Sequence, residues 1–187
     1  MKTKFMPNPL RLYIVGWIFF VYLFTQILNF TAANSGNILL SGLYFVEFGV
    51  HEASHLAVFF LPAIFVAAAG SIGEIAFTFL ILFATIKAKA YFAAVFASLW
   101  IMLAMRNVGL YIADARAQAI PLIGPGENVQ HDWNYILGQL GWLEYDKLMG
   151  NIVIWVGVAI GVLGLQFGLY LIIMKIYLKH KAVSVKA

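Results

Sequence analysis

The chain has 187 residues, 63% of them hydrophobic and 11% charged, with a mean hydropathy of +0.90 and a formal net charge of +4. That composition lies outside the range of soluble domains and predicts a multi-pass integral membrane protein, all-α in class, folded as one polytopic helical bundle over residues 1–187. The absence of cysteine excludes disulfides, thiolate-bound zinc, iron–sulfur clusters and cysteine-nucleophile chemistry, and the scattered basic residues suit lipid headgroups and no nucleic acid.

The first predicted segment is Leu12–Phe30, closed by the polar run from Thr31 to Asn37. Its basic start and apolar run have the form of a signal peptide. The run is nevertheless long enough to span a bilayer, and Thr31-Ala32-Ala33-Asn34 is a poor cleavage site, so a retained helix is expected. The second segment starts near Ile38 and reaches Leu61, where Pro62 should kink or stop it. The third spans roughly Ser71 to Ile86, after the small-residue stretch Ala67-Ala68-Ala69-Gly70, which would let helices approach closely in lipid. The fourth runs from about Tyr91 to Ala117.

A polar loop follows, 118–150, opening with Pro121, Gly124, Pro125 and Gly126, which forbid a regular helix. His131-Asp132-Trp133-Asn134 then leads into a short helix that Asp132 or Asn134 could cap, with Trp133 and Trp142 at headgroup depth. The last segment, about Asn151 to Leu178, carries Gly157/Gly161 and Gly164/Gly168 as two G-x-x-x-G pairs suited to helix packing.

Two arrangements fit this pattern. Five crossings divide the basic residues almost evenly between the two faces and give no positive-inside bias. If instead 38–70 is a re-entrant hairpin, both termini and the Lys87/Lys89 turn share a face. Lys2, Lys4, Arg11, Lys87, Lys89, Lys175, Lys179, Lys181 and Lys186 then oppose only Arg116 and Lys147. The charge rule favours the second version. The unbroken apolar length favours five crossings, which is the expectation adopted.

The chemistry is concentrated in His51-Glu52-Ala53-Ser54-His55, an H-E-x-x-H motif inside apolar surroundings. On a helix, residues four apart share a face, so His51 and His55 can present two imidazoles to one metal ion. Glu52 lies one position round, where it can take a proton from water without binding the metal. Ionisable groups inside a bilayer are costly and usually functional or paired. His51, His55, Glu74, Asp114 and His131 are expected at similar depth, near the face that carries the 118–150 loop.

A catalytic zinc usually has three protein ligands and an open position. Asp114, at a helix end, is the first candidate for the third ligand, with a salt bridge to Arg116 or Arg106 as its alternative role. His131 follows, because imidazole suits zinc. Glu74 is third, nineteen positions after His55. Glu47, one turn before His51, could orient that imidazole, and Asn107 could bond substrate or water. Arg106 needs an anionic partner, an aqueous cavity or a developing oxyanion.

The order HEASH, then Ala69-Gly70-Ser71-Ile72-Gly73-Glu74, then Asn107 through Asp114, resembles the intramembrane zinc metalloproteases of the site-2 protease type. The likeness covers roughly residues 38 to 117, and only the H-E-x-x-H portion is specific. In that family the third zinc ligand is an aspartate in a Leu-Asp-Gly context, whereas Asp114 stands between Ala113 and Ala115. The resemblance implies one zinc per chain and hydrolysis of a peptide bond in a membrane-protein or peptide substrate, within or next to the bilayer. A membrane lipid amide or ester hydrolase, with zinc on His51, His55 and His131, is the second reading. A haem-binding or metal-translocating protein is the third, although two histidines on one helix face suit a single shared metal better than haem.

Overall fold

Local chemistry sets the helix boundaries. The Asn37 side chain accepts a hydrogen bond from the Leu40 amide at 3.2 Å and so starts α2, Ile38–Ala57. Pro62 cannot extend α2, but its fixed φ suits the position just before α3, Ala63–Lys87. In the computed structural model, which describes residues 9–31, 36–122 and 130–184, α1 is Pro9–Asn29, α4 is Tyr91–Ala113, α5 is Asp132–Leu140 and α6 is Asp146–Ser184. One 3-10 turn, Leu143–Tyr145, precedes α6. Lys2, Lys4, Lys186, Ala32–Asn34 and the Gly124-Pro125-Gly126 breaker lie outside the described residues.

The all-helical class therefore stands. Among the described residues four helices, α1, α3, α4 and α6, are long and apolar enough to cross a membrane. Two boundaries differ from the sequence expectation. The third helix begins at Ala63 and not Ser71, because Ala67–Gly70 continues the helix that Pro62 allows to start. The fourth ends at Ala113 and not Ala117, because the Asp114 carboxylate accepts the amides of Ala119 and Ile120 at 3.0 and 2.9 Å and draws the chain away from the helical path.

Helix α4 forms the centre of the bundle, with buried residues along its length from Ala94 to Ile112. Helix α6 packs on it closely through glycines. A methyl group at Gly109 would stand 2.6 Å from the Gly150 carbonyl oxygen, and one at Gly157 would stand 2.8 Å from Met105 Cβ. Gly157, Gly161, Gly164 and Gly168 thus have the packing role expected of them. Arg116 closes the same junction, donating to Asp146 from Nη2 at 2.6 Å and from Nε at 2.9 Å. Asp146 is buried, and this paired geometry ties the end of α4 to the start of α6.

Contacts along α1 give its direction. Tyr13 packs on Phe92 with ring centroids 4.7 Å apart, and Lys175 Nζ lies 4.2 Å from the Tyr13 centroid. At the other end, Arg106 Nε donates to the Phe30 carbonyl at 2.9 Å. The start of α1, the α3–α4 turn and the far part of α6 therefore share one end of the bundle. Helix α2 also runs alongside α4. Leu40 is buried among Leu23, Ile27, Phe30, Leu99, Met102 and Leu103, Asn107 bonds Glu47, and Tyr111 meets His51. So α2 starts partway up α4 and does not return from the lysine-rich end. This geometry matches the arrangement of four long apolar helices with a HEASH-bearing hairpin, the second of the two that the sequence allows.

Candidate metal centre

The hairpin of α2 and α3 builds the site from two glycine contacts. A methyl group at Gly70 would collide with the His51 imidazole, and one at Gly73 would collide with Ser54 Oγ. Ser54 in turn bonds the Val50 carbonyl at 2.7 Å, which keeps its side chain flat against its own helix. The small-residue stretch of α3 thus lets the HEASH face of α2 lie directly on the α3 backbone.

Close packing supplies each histidine with an acceptor on one ring nitrogen. His51 Nδ1 is 3.2 Å from Glu74 Oε2, and His55 Nδ1 is 2.7 Å from the Val66 carbonyl oxygen. Both Nε2 atoms face one further oxygen, Asp132 Oδ2, at 3.2 Å from His51 and 3.4 Å from His55. The rings stand edge to face with centroids 4.8 Å apart. Each of the four ring nitrogens therefore faces an oxygen acceptor, yet a neutral imidazole carries only one N–H. Two side-by-side imidazolium ions would satisfy the pattern at the cost of mutual repulsion in a poorly solvated place. A cation held between the two Nε2 atoms and the carboxylate satisfies it without that cost.

The spacing suits a metal. Ligand atoms of His51, His55 and Asp132 all lie within 4.8 Å of one another. Metal–ligand bonds of about 2.0–2.1 Å in a tetrahedron place ligand atoms about 3.3 Å apart, which matches the two Nε2–Oδ2 distances. The Nδ1 contacts are of the kind that fix the tautomer of a metal-binding histidine, with a carboxylate behind one ring and a carbonyl behind the other. His51 is buried, whereas His55, Asp132 and Glu52 are half-buried, so the cluster has an accessible side.

Asp132 reaches the site because α5 is docked by polar anchors. Trp133 Nε1 donates to Ser71 Oγ at 3.0 Å, and Asn134 Nδ2 donates to the Ala115 carbonyl at 2.8 Å. His131 caps the helix, its Nδ1 accepting from the Asn134 amide at 3.2 Å, and Gly141 ends it with φ 69°. Burial alone would raise the Asp132 pKa, but the two imidazoles outweigh it and hold the carboxylate below its usual range.

Several sequence expectations are redistributed. His51 and His55 come together as expected. Asp132, foreseen as a supporting residue or helix cap, provides the third group, and the cap is His131. Asp114 and His131 are brought to each other, with His131 Nε2 3.6 Å from Asp114 Oδ2, and not into the cluster. Asp114 makes no salt bridge to Arg116, which pairs with Asp146. Glu74, a third-ligand candidate, backs His51, the role foreseen for Glu47. Glu47 is fully buried and accepts from Asn107 Nδ2 at 2.7 Å, so both residues are engaged away from the His51–His55–Asp132 cluster. Arg106 finds a carbonyl in place of an anion. Glu52 is half-buried, next to His51 in α2.

Nothing in the sequence marked Tyr111, whose hydroxyl meets Asp132. The available signal was position alone, since Tyr111 lies four residues, one turn, after Asn107 on α4. Comparisons with protein-family models, with curated proteins and with solved structures found no match to this chain.

Proposed function

We propose that this protein is a membrane-embedded zinc-dependent hydrolase, with the metal held by His51, His55 and Asp132 and with Glu52 as general base. The observation that carries the reading is the set of four ring nitrogens, each facing an oxygen acceptor, with both Nε2 atoms converging on Asp132 Oδ2. Zinc in such a site polarises a scissile carbonyl and activates water near neutral pH. Glu52 accepts the water proton and returns it to the leaving group, as its place beside the metal-binding face allows. Glu74 and the Val66 carbonyl, each facing an Nδ1 atom, would fix the tautomers that leave both Nε2 lone pairs available to hold the metal.

Depth narrows the substrate. Gly70, which touches His51, precedes Lys87 by 17 residues, about 25 Å of helix. With Lys87 at one headgroup layer and a hydrocarbon core of about 30 Å, the centre lies about 5 Å inside the opposite boundary. A bond cut there belongs to a membrane-anchored molecule at its juxtamembrane level. The preferred substrate is a peptide bond of a membrane protein or peptide, in keeping with the H-E-x-x-H motif. The interfacial depth, and a third ligand drawn from the polar loop, also suit the amide or ester bond of a membrane lipid. Purified protein reconstituted in vesicles, offered a juxtamembrane peptide library and a set of lipid amides and esters, tests both. Chelator-sensitive cleavage of peptides supports the first reading and cleavage of lipids the second. Absence of both, in protein that holds zinc, would refute the hydrolase assignment.

A further inference from the structure

Tyr111 lies where α4, α2 and α5 meet. Its ring stands 4.2 Å from the His131 ring centroid at a 30° tilt, and 6.0 Å from the His51 centroid, edge to face. Its hydroxyl accepts the backbone N–H of Asp132 at 3.1 Å and donates towards Asp132 Oδ2 at 3.4 Å. One phenol oxygen thus grips a single residue at both its main chain and its carboxylate.

We propose that Tyr111 is the positioning residue of the metal centre, the group that makes Asp132 a ligand. This rests on the metal-centre reading above. His51 and His55 share one helix and need no further alignment with each other. Asp132 stands 77 positions beyond His55 on a nine-residue helix, so its carboxylate must be brought to the imidazoles by something outside α5. Ser71 and the Ala115 carbonyl hold Trp133 and Asn134, the next two residues, and do not themselves touch the Asp132 side chain. Tyr111 supplies what is missing. Its hydroxyl occupies the amide at the start of α5, an N–H with no partner inside the helix, and sets the carboxylate rotamer through the same atom. Its own ring is wedged between two imidazoles and carried on the most buried helix of the bundle, so the support is rigid.

The test is competitive chelator titration of Co2+ and Zn2+ against full-length wild type, Tyr111→Phe, Asp132→Ala and the double variant, with visible spectra of the Co2+ forms. Phenylalanine keeps the ring between the histidines and removes only the hydroxyl, and the apo melting temperature checks that the fold persists. Tyr111→Phe should bind both metals about 10–100-fold more weakly, the usual scale for losing a group behind a ligand. Its Co2+ spectrum should shift towards that of Asp132→Ala. The double variant should bind no more than about 2-fold more weakly than Asp132→Ala, because Tyr111 acts through Asp132. Wild-type affinity and spectrum in Tyr111→Phe, or losses that multiply in the double variant, would overturn the proposal. Unchanged affinity in both His51→Ala and Asp132→Ala is a separate result, which would remove the metal centre itself and the role of Tyr111 with it.

Discussion

The ring nitrogens of His51 and His55 hold most of the functional information in this chain. A motif search finds the two histidines, since their spacing guarantees a shared helix face. It does not find Asp132. Asp114 follows the motif in the order that the site-2 resemblance suggests, but a carboxylate at a helix end has a competing duty. The chain turns sharply after Ala113, exposing the amides of Ala119 and Ile120, and Asp114 satisfies both. Asp132 is free of that duty because the neighbouring imidazole of His131 caps α5 in its place. Glu52→Gln should keep its zinc and lose hydrolysis by several orders of magnitude, measured as metal content beside turnover, and loss of zinc would make Glu52 a ligand. Glu74→Gln should keep the fold and weaken zinc about 10–100-fold, because an amide orients His51 less strongly than a carboxylate. Zinc affinity should also fall as pH is lowered, since protons compete with the metal for both imidazoles.

Helix contacts explain why the site forms where it does. The small-residue stretch 67–70 was legible as a packing signal, yet its partner was not, because small residues specify close approach without naming what approaches. The structure gives Gly70 to His51 and Gly73 to Ser54. Gly70→Ala should therefore displace the His51 ring, with zinc weakened at least about 10-fold and a stability loss of about 1–3 kcal/mol from overpacking. Gly49 on the same helix α2 faces open space, so Gly49→Ala should leave zinc binding unchanged. Equal effects of the two, in a chelator titration with thermal melts, would contradict the packing argument. The start at Ile38 is legible because a polar run ends just before it. The start at Ala63 is obscured, because Pro62 reads as the stop of the helix before it and small residues follow in the first turns of α3.

At the scale of the whole molecule, composition alone gave the class, and topology was the harder inference. Apolar length between Ile38 and Gly70 cannot separate a crossing from a re-entrant hairpin, because both bury similar surface in lipid. Contacts of Tyr13 with Phe92 and of Leu40 with the middle of α4 separate them. The described basic residues Arg11, Lys87, Lys89, Lys175, Lys179 and Lys181 then gather at one end, opposite Arg116 and Lys147. By the positive-inside rule that end is expected to face the cytoplasm. Side-specific reporters fused in turn to each end of the chain should both report the cytoplasmic side, and opposite sides would restore five crossings.

Elemental analysis of detergent-purified protein tests the proposed zinc site and its three ligands directly. Wild type and Asp114→Ala should each carry about one zinc per chain, while His51→Ala and Asp132→Ala should carry almost none. Zinc retained by Asp132→Ala and lost from Asp114→Ala, or a wild-type protein that carries haem iron or no metal at all, would contradict it.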